Sequence, residues 1–309
     1  MDKKFLKQYI EDCPLTDFTE TGNATERHLQ LDEYLEKFTN YLYNNESQLT
    51  QHFWEEYFAK SEVGILQHSS FLRRCLIFLD VVVGCFNYIS QKYIKKRKAS
   101  PTAEMISVQL QNTFSLFKSL LILSINGCFH SVLGEYRTMY ESFVITKYLL
   151  LHPELIPVYK DHSNFLVLHI NKISNNNTPE QEKEYDDFIN KYGADFATNF
   201  GWTQSVITNP KKRILKTLAN DCQIEPFFEP MYKVSCNYAH ASSLASTSKI
   251  SPDFVKPFLQ VCLYIIDYEM EDFIKECKLV KKESVIIRNM IYFVFDDIIK
   301  DFGNIKQLI

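Results

Sequence analysis

Residues 100–151 have the sequence SPTAEMISVQLQNTFSLFKSLLILSINGCFHSVLGEYRTMYESFVITKYLLL. The Ser-Pro pair at its start is typical of a helix N-terminus, because serine caps the first turn and proline fits the first helical position. The His-Pro pair at residues 152–153 ends the pattern, since a residue that precedes proline avoids the helical conformation. These features predict the longest helical stretch of the chain, with a break near Gly127.

Helical periodicity also dominates the rest of the chain, because apolar residues recur three and four positions apart in every long segment. Only 8 glycines and 10 prolines occur among 309 residues, so turns suited to strands and hairpins are few. We predict an all-α fold, a single bundle of about ten helices. In it, residues 1–98 form an N-terminal helical layer and residues 99–309 a core domain, or both form one continuous domain. Further helices are predicted at residues 26–44, 47–60, 63–98, 153–173, 252–277 and 284–302, and after the capping box at residues 178–181.

The net charge of −4 excludes a protein that coats nucleic acid non-specifically, because such binding requires many uncompensated lysines and arginines. The eight cysteines form no CxxC motif, which favours reduced core cysteines in a cytoplasm. The charged start MDKKFLKQYIEDC lacks the apolar segment of a secretory signal peptide, and residues such as Asp80 interrupt the most apolar windows. We therefore expect a cytoplasmic protein with no membrane span, and no motif predicts a cofactor or a metal site.

The first candidate site is the segment HSVLGEYRTMYESF at residues 130–143. On a helical projection, His130, Gly134, Arg137 and Glu141 fall within one stripe about 60° wide, beside an apolar sector. Glycine inside a helix costs about 1 kcal/mol and often marks the close approach of another backbone or of a ligand. The stripe is interpreted either as the margin of a site or as an exposed Arg–Glu pair that contributes little to stability.

The second candidate site is the segment MYKVSCNYAHASSLAS at residues 231–246. Small side chains such as Ser235 and Ser242 recur along one side of the predicted helix, and Asn237 and His240 project together from a nearby side. A histidine in this setting is either a hydrogen-bonded core residue or an acid–base and phosphate-contacting residue. A metal ligand is not expected, because no HExxH motif and no cysteine–histidine cluster surrounds it.

Together, the motifs SINGCFHSVLGEYRTMYES, the Gly-Trp pair after a polar loop, and MYKVSCNYAHASS resemble a bacterial family of all-helical domains of unknown function. The resemblance covers residues 105–275. Recurring features of that family are an arginine and a glutamate four residues apart and a Tyr-x-x-Ser…His-x-Ser element. The matching positions are Arg137, Glu141, Trp202, Tyr232, Ser235, His240 and Ser242.

That family is in turn similar to the HEPN superfamily of helical domains, many of which are metal-independent ribonucleases in toxin and antiviral systems. Their usual signature is an arginine four to six residues before a histidine. No arginine stands at that distance here, and Lys233 precedes His240 with six residues between them. Arg137 of the other candidate helix is then the residue that would supply the guanidinium.

Two hypotheses for function follow. In the first, which the resemblance implies, the chain is a metal-independent endoribonuclease that acts on RNA at one confined site, as a homodimer or with a partner protein. In the second, it is a non-catalytic module that binds a protein or a small ligand, and Arg137, Glu141 and His240 form a buried polar network. The first hypothesis assigns Arg137, Glu141 and His240 as catalytic residues and Lys233, Ser235, Asn237, Ser242 and His130 as substrate-binding residues.

Overall fold

The computed structural model describes residues 7–10, 36–42, 44–45, 70–95, 99–224, 228–239 and 250–302, and all regular structure in these ranges is helical. The prediction of an all-α fold is confirmed. The longer helices are α1 (Ser70–Ile89), α2 (Pro101–Ile125), α3 (Phe129–Leu151), α4 (Ile156–Ile173), α5 (Pro179–Tyr192), α6 (Leu215–Asp221), α7 (Phe228–Ala239), α8 (Pro252–Glu276) and α9 (Lys281–Phe302).

The chain divides into two compact units, and α3 contributes residues to both. One unit comprises residues 1–140 and 226–309, and the other comprises residues 141–225. The predicted division into an N-terminal layer at residues 1–98 and a core domain at residues 99–309 stays a prediction.

Several predicted helix ends are confirmed, whereas α9 begins at Lys281, three residues before its predicted start, and α4 begins at Ile156, after a short 3-10 turn at Pro153–Leu155. The Ser100 hydroxyl accepts a hydrogen bond from the backbone N–H of Ala103 at 3.1 Å and so caps α2. Gly127 has a φ of +71° and lies in the break between α2 and α3, where a left-handed conformation favours glycine. Thr178 and Gln181 form the predicted reciprocal capping box at the start of α5, because each side chain binds the other residue's backbone N–H.

In the first unit, α1 packs against α2, α8 and α9, and α8 also packs against α2 and α9. Phe86 of α1 shows how the core is filled: its ring centroid lies 5.4 Å from that of Phe114 and 5.2 Å from that of Phe273. Phe295 of α9 contacts Phe78 and Tyr264 in the same way. The segment predicted at residues 284–302 is thus part of a helix, α9, whose apolar face is buried, as its 3.6-residue periodicity predicts.

The carboxylate of Glu283, in the first turn of α9, is buried against the π-helical turn Ser90–Ile94 that follows α1. It accepts hydrogen bonds from the Tyr88 hydroxyl at 2.9 Å, from the Tyr93 hydroxyl and from the Lys92 ammonium group. Burial acts to raise the pKa of Glu283, but the hydrogen bonds from Lys92, Tyr93 and Tyr88 outweigh it and lower the pKa. Lys92, which lies in a basic stretch of the sequence, is thus ion-paired with a buried carboxylate.

The lowered pKa of Glu283 predicts a loss of stability in acid. The folded state binds this proton more weakly than the unfolded chain does. The contribution of Glu283 is therefore complete above its ordinary pKa of 4.5 and disappears as the pH falls through the lowered folded-state pKa. We expect Glu283→Gln to reduce the free energy of unfolding by about 1–3 kcal/mol at neutral pH, and by much less in strong acid.

Urea unfolding at a series of pH values measures this effect. The matched control is Glu104→Gln, which removes an exposed carboxylate from the first turn of α2 and should change the free energy of unfolding by less than about 0.5 kcal/mol. A difference between the wild type and Glu283→Gln that stays constant from neutral pH to strong acid would contradict the assignment.

The second unit is built on the packed pair α4 and α5 and on the short turns that follow them. The ring of Phe165 stacks on that of Tyr185 at 5.0 Å and lies 5.3 Å from that of Phe196. Arg213 has a buried side chain that donates hydrogen bonds to the Ile207 carbonyl and to Asp195. This arginine therefore holds turns together.

The Gly-Trp pair of the sequence motif lies at the centre of the second unit. A Cβ atom on Gly201 would lie 2.4 Å from the backbone oxygen of Asp195 and 2.7 Å from the Cα atom of Phe196. Trp202 is 1% exposed and contacts the rings of Tyr148 and Tyr159 at 5.9 and 5.0 Å. Both residues of the motif therefore serve packing.

Candidate functional site

The two helices that carry the candidate residues are antiparallel neighbours. Near the start of α3, the ring of His130 lies 5.9 Å from that of Tyr238 near the end of α7. Further along α3, the ring of Tyr140 lies 4.8 Å from that of Tyr232 and 6.1 Å from that of Phe228, at the start of α7. Because ascending positions on α3 meet descending positions on α7, the two helices run in opposite directions. We call this pair of helices, with the side chains between them, the α3–α7 site.

Arg137 connects the two helices. Its guanidinium carbon lies 6.0 Å from the centroid of the Tyr232 ring, within the range of a cation–π contact. The side chain is half-buried, which strengthens such a contact because less water competes for the charge. The predicted arginine of α3 and the Tyr-x-x-Ser element of α7 are thus brought together.

Glu141 lies on α3 one helical turn after Arg137 and is half-buried. Residues four positions apart on a helix are neighbours on its surface, so the carboxylate and the guanidinium share one side of α3. The adjoining face of the helix is buried as the sequence predicts; its members are Val132, Tyr136, Met139, Tyr140 and Phe143.

Gly134, between His130 and Arg137 in the predicted stripe, faces open space. A Cβ atom at this position would have no neighbour within 4 Å among the described atoms. No described backbone therefore approaches Gly134 closely, and the alternative, the close approach of a ligand, stays a prediction. The stripe instead has room beside it, and the exposed ring of His130 lies at one end.

The described residues of α7 separate into exposed and buried positions. Lys233 and Asn237, one helical turn apart, are both exposed, and the Lys233 ammonium group lies 2.9 Å from a carboxylate oxygen of Glu229. Ser235 is fully buried, and its hydroxyl donates to the backbone oxygen of Tyr232 at 2.7 Å. Lys233 and Asn237 are therefore accessible to a ligand, whereas Ser235 hydrogen-bonds to its own helix.

His240 and Ser242 lie outside the described residues, and their assigned roles stay predictions. The helix α7 ends at Ala239, the residue that precedes His240 in the sequence.

The predicted catalytic and substrate-binding residues do not include the tyrosines of this site, although Tyr232 belongs to the Tyr-x-x-Ser element. Tyr232, Tyr140 and Tyr238 form the contacts between α3 and α7, and Tyr140 has its pKa raised to about 12 by burial and by the nearby charge of Glu229. Tyr140 is therefore neutral at physiological pH and keeps its hydroxyl proton. One feature of the sequence could have indicated these aromatic contacts: Phe228 and Tyr232 are four residues apart, which places two rings on one helical face.

The chemistry that this arrangement offers is the recognition of an anion beside aromatic rings. A guanidinium group binds a phosphate through paired donors, and an exposed ammonium group adds a point charge. Tyrosine and histidine rings provide surfaces on which a base can stack. Within the described ranges, no group of three or more His, Cys, Asp and Glu side chains is placed to hold a metal ion. In the same ranges, every helix is too short or too polar to span a bilayer.

Comparisons with known proteins give one match. The model of DUF5677, a family of unknown function, matches residues 103–254. Neither a curated protein nor a solved structure matches the chain. Residues 103–254 therefore form a DUF5677 domain of unknown function, which contains all but the first two residues of α2 and the whole α3–α7 site.

Proposed function

We propose that the chain is a HEPN-like helical effector of the bacterial toxin or antiviral defence type, which cleaves RNA without a metal at the α3–α7 site. The contact between Arg137 of α3 and Tyr232 of α7 carries this proposal, because it joins the helix of Arg137 and Glu141 to the helix that directly precedes His240 in the sequence. No described atom lies within 4 Å of a Cβ atom at Gly134, which supports a phosphate position along the same stripe.

The proposed reaction is an intramolecular transesterification. His240 acts as the general base and takes the proton of a ribose 2′-hydroxyl. The 2′-oxygen attacks the adjacent phosphorus, the bond from phosphorus to the 5′-oxygen breaks, and the leaving oxygen takes a proton from water. Arg137 stabilises the charge that develops on the phosphate, and Glu141 orients the guanidinium. The products are a 2′,3′-cyclic phosphate and a 5′-hydroxyl end.

Substrate binding in this proposal is confined to a few side chains. The exposed residues Lys233, Asn237 and His130 contact the nucleotides next to the cleaved bond, together with Ser242. Ser235 is buried, and its hydroxyl donates a hydrogen bond to the Tyr232 carbonyl. In this proposal Ser235 therefore does not contact the RNA but stabilises the backbone of α7. A net charge of −4 supports a small site, since an extended RNA path requires a larger basic surface. A homodimer that brings two such sites together belongs to the same proposal.

Incubation of the purified full chain with total RNA in excess chelator tests the activity. We expect cleavage fragments with 2′,3′-cyclic phosphate ends, and a rate reduced about 100-fold or more in His240→Ala, because removal of a general base costs roughly that factor. The matched control is His152→Ala, a histidine directly after α3 that contacts Glu154 and should leave cleavage unchanged. The proposal would be wrong if the wild type did not cleave RNA, or if His240→Ala cleaved it at the rate of the wild type.

A second candidate function, a non-catalytic binding module, is favoured by the packing of the same residues. The half-buried guanidinium of Arg137 rests on Tyr232, and the buried Ser235 hydroxyl bonds to the backbone of α7. Side chains with such contacts stabilise the register between two helices. In that case truncation of Arg137 would lower stability, whereas a substrate-binding arginine can be removed with little effect on folding.

A further inference from the structure

Three aromatic side chains from three different helices meet at one end of the α3–α7 site. The ring of Tyr238, near the end of α7, lies 5.9 Å from the ring of His130 on α3 and 5.7 Å from the ring of Phe254 on α8. We call these three side chains the aromatic cluster. All three belong to the first compact unit and to the segment that matches the DUF5677 model.

The aromatic cluster is accessible to solvent. His130 is exposed, Phe254 is 37% exposed and Tyr238 is half-buried. The ring of Tyr136, on the same helix as His130, is by contrast fully buried. A single exposed apolar side chain is ordinary, whereas neighbouring ones mark a binding surface. The cluster therefore offers aromatic surface to a ligand.

The rings of the aromatic cluster are not stacked on one another. The planes of His130 and Tyr238 are inclined by 65°, and those of Tyr238 and Phe254 by 62°. Because the rings keep solvent exposure and are inclined, a planar ligand has ring faces to lie against. Nucleobases are planar, and they stack on tyrosine, phenylalanine and histidine side chains in proteins that bind single strands.

The aromatic cluster lies along α3 from the residue that binds phosphate in the proposed function. His130 precedes Arg137 by seven residues, which is about 10 Å along the helix axis. Gly134 lies between them, and a Cβ atom there would have no described neighbour within 4 Å. A strand whose phosphate binds Arg137 can therefore follow α3 and place a nearby base on the cluster.

The charges beside Phe254 offset each other. The exposed carboxylate of Asp253 lies 2.6 Å from the ammonium group of Lys256. Repulsion of an anionic strand by this carboxylate is thereby reduced. Stacking needs no excess of positive charge, so it suits a chain whose net charge is −4.

We propose that the aromatic cluster binds a purine base of the RNA strand, next to the cleaved bond. Neighbouring rings of the cluster are less than 6 Å apart, so the two fused rings of a purine can contact two of them. A pyrimidine has one ring and buries less apolar area, which makes its stacking weaker. The position of the cleaved bond rests on the proposed function, whereas the binding of the base does not require cleavage.

Fluorescence anisotropy with short labelled 2′-O-methyl oligonucleotides tests the binding alone, because a methylated 2′-oxygen cannot attack the phosphorus. One strand contains only uracil, and the other has a single adenine at its centre. We expect the full chain to bind the adenine-containing strand at least about threefold more tightly. His130→Ala and Tyr238→Ala should each weaken its binding at least about fivefold, since each removes a ring on which the base stacks.

Two further variants show whether the ring itself is responsible. His130→Phe keeps a ring and should retain most of the affinity. The matched control is Tyr292→Ala, which removes an aromatic residue that is 61% exposed on α9 and lies outside the cluster, and it should bind as the wild type does. Thermal melting shows that each variant is folded; should Tyr238→Ala not fold, His130→Ala decides the outcome.

Three results would overturn the proposal: no binding of the adenine-containing strand, equal affinity for the two strands, or unchanged affinity in folded His130→Ala. The last result is the one expected if the rings contact another protein instead of a base. Cleavage of unmodified RNA is measured separately. Purine binding that depends on the cluster, in a chain that does not cleave RNA, would contradict the proposed function alone.

Discussion

Replacing Trp202 with alanine is expected to reduce the free energy of unfolding of residues 141–225 by about 3–5 kcal/mol. The indole is 1% exposed and contacts the rings of Tyr148 and Tyr159. Its loss leaves a cavity in the centre of the unit that the surrounding backbone cannot fill. Because stability differs from one part of a structure to another, the effect should be largest within residues 141–225, which form one compact unit.

Hydrogen exchange of the backbone amides during denaturant titration locates this loss. Amides in α4 and α5 should lose protection in Trp202→Ala at denaturant concentrations where the wild type is still protected. Ile173→Ala is the control, since Ile173 is an apolar residue of the same unit that is 71% exposed, and such surface substitutions cost less than about 0.5 kcal/mol. Equal protection in Trp202→Ala and the control would show that the indole does not stabilise this unit.

The same substitution, glycine to alanine, is expected to have opposite effects at two positions. At Gly201 the new methyl group would lie 2.4 Å from the Asp195 carbonyl oxygen, a backbone atom, so the chain must shift and stability should fall by about 1–3 kcal/mol or more. At Gly134 the methyl group meets no described atom within 4 Å, and alanine favours the helix by about 0.5–1 kcal/mol. Gly134→Ala should therefore raise the stability of α3.

Thermal and chemical unfolding of both variants measures the two effects, and each variant is the control for the other. A melting temperature that rises in Gly134→Ala and falls in Gly201→Ala is the expected result. A fall in Gly134→Ala would mean that the space beside this glycine is occupied, and a rise in Gly201→Ala would contradict the close approach of the Asp195 backbone.

The sequence predicts helix ends well because those ends depend on neighbouring residues. The cap at Ser100, the break at Gly127 and the capping box at Thr178 are local chemistry, and each occurs in the structure. The ion pairs of Lys92 and Arg213 are different, because each joins residues that are not neighbours in the sequence. Such pairs depend on which helices pack together, which no local pattern contains.

In the candidate site too, the features within one helix were predictable from the sequence, and the contacts between helices were not. Helical periodicity places Arg137 and Glu141 on one side of α3, and the structure agrees. The partner of Arg137 on α7, Tyr232, could not be predicted, because the contact requires α3 and α7 to run antiparallel at a particular register. The lack of described atoms beside Gly134 could not be predicted either. A glycine inside a helix is compatible with both close packing and an empty surface.

The proposal that the α3–α7 site cleaves RNA without a metal is tested with Arg137→Ala. Two quantities are measured for this variant: its cleavage of a short single-stranded RNA in excess chelator, and the melting temperature of the protein. We predict a rate at least about 100-fold below that of the wild type, because the guanidinium stabilises charge in the transition state. We also predict a melting temperature close to that of the wild type and unchanged cleavage by the surface control Lys300→Ala. Unchanged cleavage by Arg137→Ala would contradict the account. Loss of folding in this variant would contradict it too, and would assign Arg137 to the packing of α3 on α7.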